Sequence, residues 1–368
     1  MHEQSLNFYL LIIVLISGIV LISRTPLSKT IVILLFMGFL FIAPETASDQ
    51  DFYAYKTAFE NIQLINEYPY VITESNLTSE RGFFWYMVPY HLVTSSFNSF
   101  LALNFLALII LGSFILKKIG LNKIELRSTM LYALPALIPL VFYWSPRSSP
   151  SLILILVSFY FFTERKFLYG LLFSFVAITI HSQYIPFVVV MSATMFLSST
   201  SNKKPFYYAS LLSLITLGLL KYGTGLISQL PFGYFGDLFL VAASKLHYIE
   251  ELGASGGIRL AGIGIIIISS VYFIFFKKNI RKKTLEGEYK ILTLLEICIA
   301  FSFFVNILFI QDSHVAGRIA RFSDFFIIII GVSFVIKKIA NEKITIYVAM
   351  ISFLSLLLLY RNIYFVSI

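Results

Sequence analysis

The chain alternates between long apolar runs and short charged clusters. Twelve runs predict helices at about 7–22, 30–43, 98–116, 128–144, 149–163, 167–181, 184–199, 206–222, 259–276, 289–310, 322–336 and 344–360. A helix of about 20 apolar residues spans the hydrocarbon core of a bilayer. The period-2 alternation of barrel strands is absent, so each segment must satisfy its backbone hydrogen bonds within its own helix. The predicted class is therefore all-α: a polytopic integral membrane protein of about 12 transmembrane helices, with residues 1–368 forming a single membrane domain. The first run follows Met-His-Glu-Gln without a basic leader, which predicts an uncleaved first span.

Two gaps between runs are long, 44–97 and 223–258. Long connections of this kind are usually functional or disordered, and their aromatic content argues for function. Residues 82–96 are too apolar for open water yet carry Pro89 and His91, which predicts an interfacial or re-entrant helix. The second gap, with Gly233, Gly236, Gly253, Gly256 and Gly257, suits a mobile cover over a cavity.

Composition agrees with the pattern: 58% of residues are hydrophobic and the mean hydropathy is +0.85. Charge adds an orientation. Of the 28 Lys and Arg, 19 fall in one set of alternating loops and 9 in the other. Cytoplasmic loops carry the excess of cations, so the lysine-rich loops face the cytoplasm, while both termini and both long loops face outward. The net charge of +9 is then a topology signal and not a sign of nucleic-acid binding. The single cysteine, Cys298, excludes an intramolecular disulfide and a cysteine zinc site.

The outer cations are mostly arginines, on the side where cations are scarce. Arg318 and Arg321 are three apart at the start of the eleventh run, a spacing that puts them on one face of a helix. Arg259 opens the ninth run and Arg147 sits in the tight turn before the fifth. Guanidinium forks match phosphate oxygens bidentately, so these four residues suit an anionic headgroup. Snorkelling to lipid, or pairing with Asp312 and Asp324, would also account for them. His181 ends the sixth run at the outer mouth, where an imidazole can take a proton from a hydroxyl. Asp49 and Asp51, as Asp-x-Asp, could hold a divalent cation or act as base, or could simply begin a solvated loop. Glu80 and Arg81 form either an acid–base element or an ordinary ion pair. Tyr53 and Tyr55 could stack on sugar rings, and an interfacial belt explains most of the other aromatics. Walker, His-Glu-x-x-His and Gly-x-Ser-x-Gly signatures are absent.

Four short motifs carry a resemblance: Asp49-x-Asp51-Phe52-x-x-Tyr55, Glu80-x-Gly82-Phe83, His181-Ser182, and Arg318 with Arg321-Phe322. Together with the topology, they resemble the EpsG-type, Wzy-like polysaccharide polymerases of bacterial inner membranes. In place of that family's usual Gly-Thr-Asp-Tyr this chain has Ser48-Asp49-Gln50-Asp51-Phe52, so either aspartate can stand for the family's acid. The resemblance implies a GT-C-like glycosyltransferase that polymerises O-antigen or exopolysaccharide on the periplasmic face. Its substrate would be an oligosaccharide on undecaprenyl pyrophosphate, with a Wzz-like chain-length regulator as a further partner, and neither a cofactor nor a metal is implied. Catalysis then falls to His181, Asp51 and Glu80. Arg147, Arg259, Arg318 and Arg321 bind the pyrophosphate, and Asp49, Tyr53, Tyr55 and Arg81 bind the acceptor sugar. A GT-C enzyme using a polyprenyl-phosphate sugar, a lipid-linked oligosaccharide flippase and a membrane O-acyltransferase are the competing readings.

Overall fold

The structure is a computed structural model that describes residues 50–60, 62, 81–121, 146–200, 205–222, 260–272, 274, 277–310 and 313–327. The predicted runs at 7–22, 30–43, 128–144 and 344–360, and the long gap 223–258, lie outside the described residues. Among those residues the chain is helical and no strand occurs. In chain order the helices are α1 (Gln50–Glu60), α2 (Arg81–His91), α3 (Phe97–Lys118), α4 (Ser148–Thr163), α5 (Phe167–Ile180), α6 (Ile185–Thr200) and α7 (Pro205–Tyr222). There follow α8 (Leu260–Val271), α9 (Lys277–Lys283), α10 (Tyr289–Leu308), α11 (Ser313–Ile319) and α12 (Arg321–Phe326).

Two of these, α3 and α10, are long and apolar enough to cross a membrane. At about 1.5 Å per residue they reach roughly 30 Å, the thickness of the hydrocarbon core. Helices α5 and α7 present Leu168, Leu171, Leu172, Leu211, Leu214 and Ile215 outward. An apolar exterior of this extent suits lipid and not water.

Polar atoms inside the bundle pair between helices. Helices α4 and α5 form a tight antiparallel hairpin in which the Ser158 hydroxyl lies 2.7 Å from both the Gly170 carbonyl and the Ser174 hydroxyl. The Ser151 hydroxyl donates to the Ala177 carbonyl at 3.0 Å. Gly170, Ser174 and Ala177 form a small-residue stripe at i, i+4, i+7, which lets the two backbones approach as membrane helix pairs do. A Cβ at Gly170 would lie 2.6 Å from the Phe162 ring. On α10, Glu296 is 0% exposed, and Arg281 of α9 grips it through Nε at 2.8 Å and Nη2 at 2.5 Å. A carboxylate so deeply buried must be paired, and this bidentate fork supplies the charge.

Two helices end in the same 6→1 and 5→2 hydrogen-bond motif with different residues at its left-handed position. After α3 it is Gly120 at φ +113°, with Leu121 N–H donating to the Leu116 carbonyl and Gly120 N–H to that of Lys117. After α4 it is Arg165 at φ +60°, with Lys166 N–H donating to the Phe161 carbonyl and Arg165 N–H to that of Phe162. Glycine adopts this conformation freely, whereas a residue with a Cβ pays about 1–2 kcal/mol.

The packing sorts the loops into two ends. At one, Lys290 pairs with Glu164, and Gly120 comes so close to Gly287 that a Cβ would overlap its carbonyl oxygen. At the other, Asn104 bonds the Pro146 carbonyl, Ser151 bonds Ala177 and Lys221 bonds the Leu308 carbonyl. The first end holds loops from the lysine-rich set and the second holds loops from the arginine-bearing set.

Candidate functional site

The arginine-bearing end is built around the turn at His181. Helix α5 stops there because His181 is extended, at φ −147° and ψ 96°, while its N–H still donates to the Ala177 carbonyl at 3.0 Å. A single 3-10 turn, Ser182–Tyr184, then redirects the chain into α6. Pro186 falls in the first turn of α6, where its missing N–H costs nothing.

Three separate segments close on this turn. From the N-terminal side comes α2: a Cβ on Gly82 would lie 2.5 Å from Thr179 Oγ1, 2.6 Å from the Thr179 carbonyl carbon and 2.8 Å from the Ile180 nitrogen. Glycine at this position therefore lets α2 touch the backbone just before His181. From the C-terminal side, α11, which carries Arg318 in its last turn, packs against Ser182–Tyr184. Phe322, next to Arg321, sits 6.3 Å from the Tyr184 ring and 4.6 Å from the Phe187 ring. Tyr184 in turn meets the His181 ring edge-on at 4.8 Å.

His181 is 1% exposed. It was expected at the outer mouth; the structure seats it at that end but beneath the surface. Proton exchange with any outside group therefore requires the turn to open or that group to enter.

Arg147 stands at the same end, just ahead of α4. Its turn is held by a polar chain through the aromatic cluster. Tyr86 shares a hydrogen bond with Tyr90 at 2.8 Å and donates to Asn104 Oδ1 at 2.7 Å. Asn104 Nδ2 donates to the Pro146 carbonyl at 3.3 Å and to Ser149 Oγ at 3.2 Å. The Arg147 guanidinium lies 5.3 Å over the ring of Tyr55, a cation–π distance. Tyr55 is 2% exposed and also meets Phe83 edge-on at 5.4 Å. One face of its ring is thus given to the arginine, so in this conformation Tyr55 positions Arg147. Because Ser151, one turn along α4, bonds the same Ala177 carbonyl that accepts from His181, the arginine turn and the histidine turn share a single anchor.

Arg318 and Arg321 do not share a continuous helix. Arg318 lies in the last turn of α11, the chain bends at Ala320, and Arg321 opens α12; both are half-buried. Asp324 accepts from the Ser302 hydroxyl of α10 at 2.5 Å, which ties α12 to the core. The backbones of Asp51 and Tyr53 lie in α1, and Arg81 begins α2. Asp49, Glu80, Arg259 and Asp312 lie outside the described residues. Among the described residues no group of three His, Cys, Asp or Glu gathers as metal ligands.

Sequence reading missed Asn104 and Tyr90, took Tyr86 for a belt aromatic, and gave Gly82 no role of its own, although the three polar residues hold the arginine turn. The available signal for Asn104 was an amide inside an apolar run, where an unpaired polar group is costly.

No curated protein and no solved structure matches this chain. A protein-family model does: that of the EpsG family, over residues 28–367, nearly the whole sequence. With its helices, its apolar exterior and the family's span over both ends of the bundle, the chain is a membrane protein belonging to the EpsG family.

Proposed function

We propose that this protein is a polysaccharide polymerase that transfers a growing glycan from polyprenyl pyrophosphate to a lipid-linked repeat unit. In this reading it has about 12 spans in a GT-C-like arrangement, and the His181 end faces the periplasm of a bacterial inner membrane. The observation that carries it is the convergence on one turn of motifs far apart in sequence, through Gly82, His181-Ser182 and Phe322. Arg147 and the segment that carries Arg318 and Arg321 lie at the same end of the bundle.

The chemistry such an end supports is a displacement at the anomeric carbon. An acceptor hydroxyl forms the new C–O bond, and the bond to the pyrophosphate oxygen breaks with its electron pair. The hydroxyl proton passes to His181 or to one of the carboxylates of the first loop, Asp51 and Glu80. Charge developing on the departing pyrophosphate is what guanidinium groups at fixed positions stabilise. The polyprenyl tail would run along the apolar exterior, and a chain-length regulator would act from the same face.

The test is a polysaccharide ladder from a deletion strain complemented with variants. Wild type should restore long chains. Arg147→Gln, Arg318→Gln and Arg321→Gln should insert normally and leave one repeat unit per lipid. Long chains in the uncomplemented strain would refute polymerase activity, and normal ladders in all three variants would refute the arginine assignment.

A further inference from the structure

At the lysine-rich end, about 24 Å along α4 from Arg147 at 1.5 Å per residue, a cavity of about 370 Å³ opens between α4, α6, α9 and α10. Its lining carries three cations, Arg165, Arg281 and Lys290, against one carboxylate, Glu296. That carboxylate is already gripped by Arg281. Lys290 leans on Glu164 at the rim. Arg165 has no carboxylate partner among the described residues, so the described lining keeps a net positive charge.

A second, independent observation concerns the same residue. Arg165 occupies the left-handed position that Gly120 fills in the identical motif after α3. Glycine would hold that turn without strain. An arginine there bears backbone strain with no return in local structure, and strain of that kind gathers where a side chain is needed. The apolar exterior begins within one turn, at Leu168, which is 78% exposed. The cationic cavity therefore adjoins a surface suited to acyl chains.

We propose that this cavity binds a phosphate-bearing anion, seated by Arg165 and Lys290, at the opposite end of the bundle from His181. The adjoining apolar face makes the headgroup of an anionic phospholipid its source, and a soluble phosphate ester shares the same chemistry. This site does not depend on the polymerase reading, since it lies at the other end of the helices.

The test uses the purified full-length chain in neutral detergent, with binding read by native mass spectrometry. The probes are phosphatidylglycerol, phosphatidylcholine and glycerol 3-phosphate. Phosphatidylglycerol should bind in preference to phosphatidylcholine. Arg165→Gly should weaken it about tenfold, the loss of a charge-assisted hydrogen bond, while Lys282→Gln, an exposed lysine outside the lining, should leave it unchanged. Arg165→Gly should also melt no lower than wild type, because glycine relieves the turn. Arg165→Asn, which also tolerates the left-handed region, provides a second variant. Glycerol 3-phosphate binding as tightly, with the same sensitivity to Arg165, would assign the site to a soluble phosphate ester. Equal weakening by Arg165→Gly and Lys282→Gln, or no preference for either net-anionic probe over zwitterionic phosphatidylcholine, would overturn the proposal.

Discussion

Gly82→Ala should abolish most polymer synthesis while the protein still inserts. The added methyl carbon would meet Thr179 Oγ1 at 2.5 Å, the Thr179 carbonyl carbon at 2.6 Å and the Ile180 nitrogen at 2.8 Å. Two of these are backbone atoms, so no rotamer change relieves them, and α2 must move away. Overpacking of this kind costs about 1–3 kcal/mol. Its larger consequence is geometric, because α2 lies against the two residues before His181 and also carries Phe83, which meets Tyr55 beneath Arg147. A displacement of about 1 Å in a catalytic arrangement can cost on the order of 10²-fold in rate. The double variant Gly82→Ala with Thr179→Ala should not recover, since the backbone contacts remain. Wild-type rate and melting temperature in Gly82→Ala would show that α2 does not sit against the histidine turn.

His181→Gln has the largest expected effect on chemistry. Loss of a general base costs about 10²–10⁴-fold, whereas loss of an edge-to-face aromatic contact such as that with Tyr184 costs only about 0.5–1.5 kcal/mol of stability. The two readouts therefore separate. A steep fall in chain extension with a small change in melting temperature is expected for His181→Gln. A large drop in melting temperature, with turnover per folded molecule unchanged, would leave the imidazole only a packing role. Tyr184→Phe keeps the ring contact and should keep most of the rate.

The two predictions concern residues that the sequence revealed to different degrees. The hairpin of α4 and α5 was legible to within a residue, because Glu164, Arg165 and Lys166 interrupt two apolar runs with three charges. His181 was legible as the end of α5 because a polar pair, His181-Ser182, follows an apolar run. The packing of Gly82 on Thr179 was not, since the contact joins positions nearly a hundred residues apart and leaves no periodic trace. The same holds for the chain from Tyr86 through Asn104 to Pro146, in which the tyrosine reads alone as a belt aromatic and the amide has no partner near it in sequence. The bend at Ala320 was hidden because the residues around it are compatible with one helix, so Arg318 and Arg321 read as one face. Glu296 was visible as an acid in an apolar run, but its partner, Arg281, lies in a run of like charges that gave no sign of folding into α9. Local pattern thus defined elements and ends, while pairing across the bundle required the fold.

The central claim is tested most directly by reconstitution. Purified protein in liposomes, supplied only with a polyprenyl-pyrophosphate oligosaccharide, should build a ladder of glycans rising by one repeat unit. His181→Gln and Arg321→Gln, folded and inserted to the same extent, should leave the starting lipid-linked unit unextended. A wild-type protein that extends nothing, or a full ladder from both variants, would contradict the account.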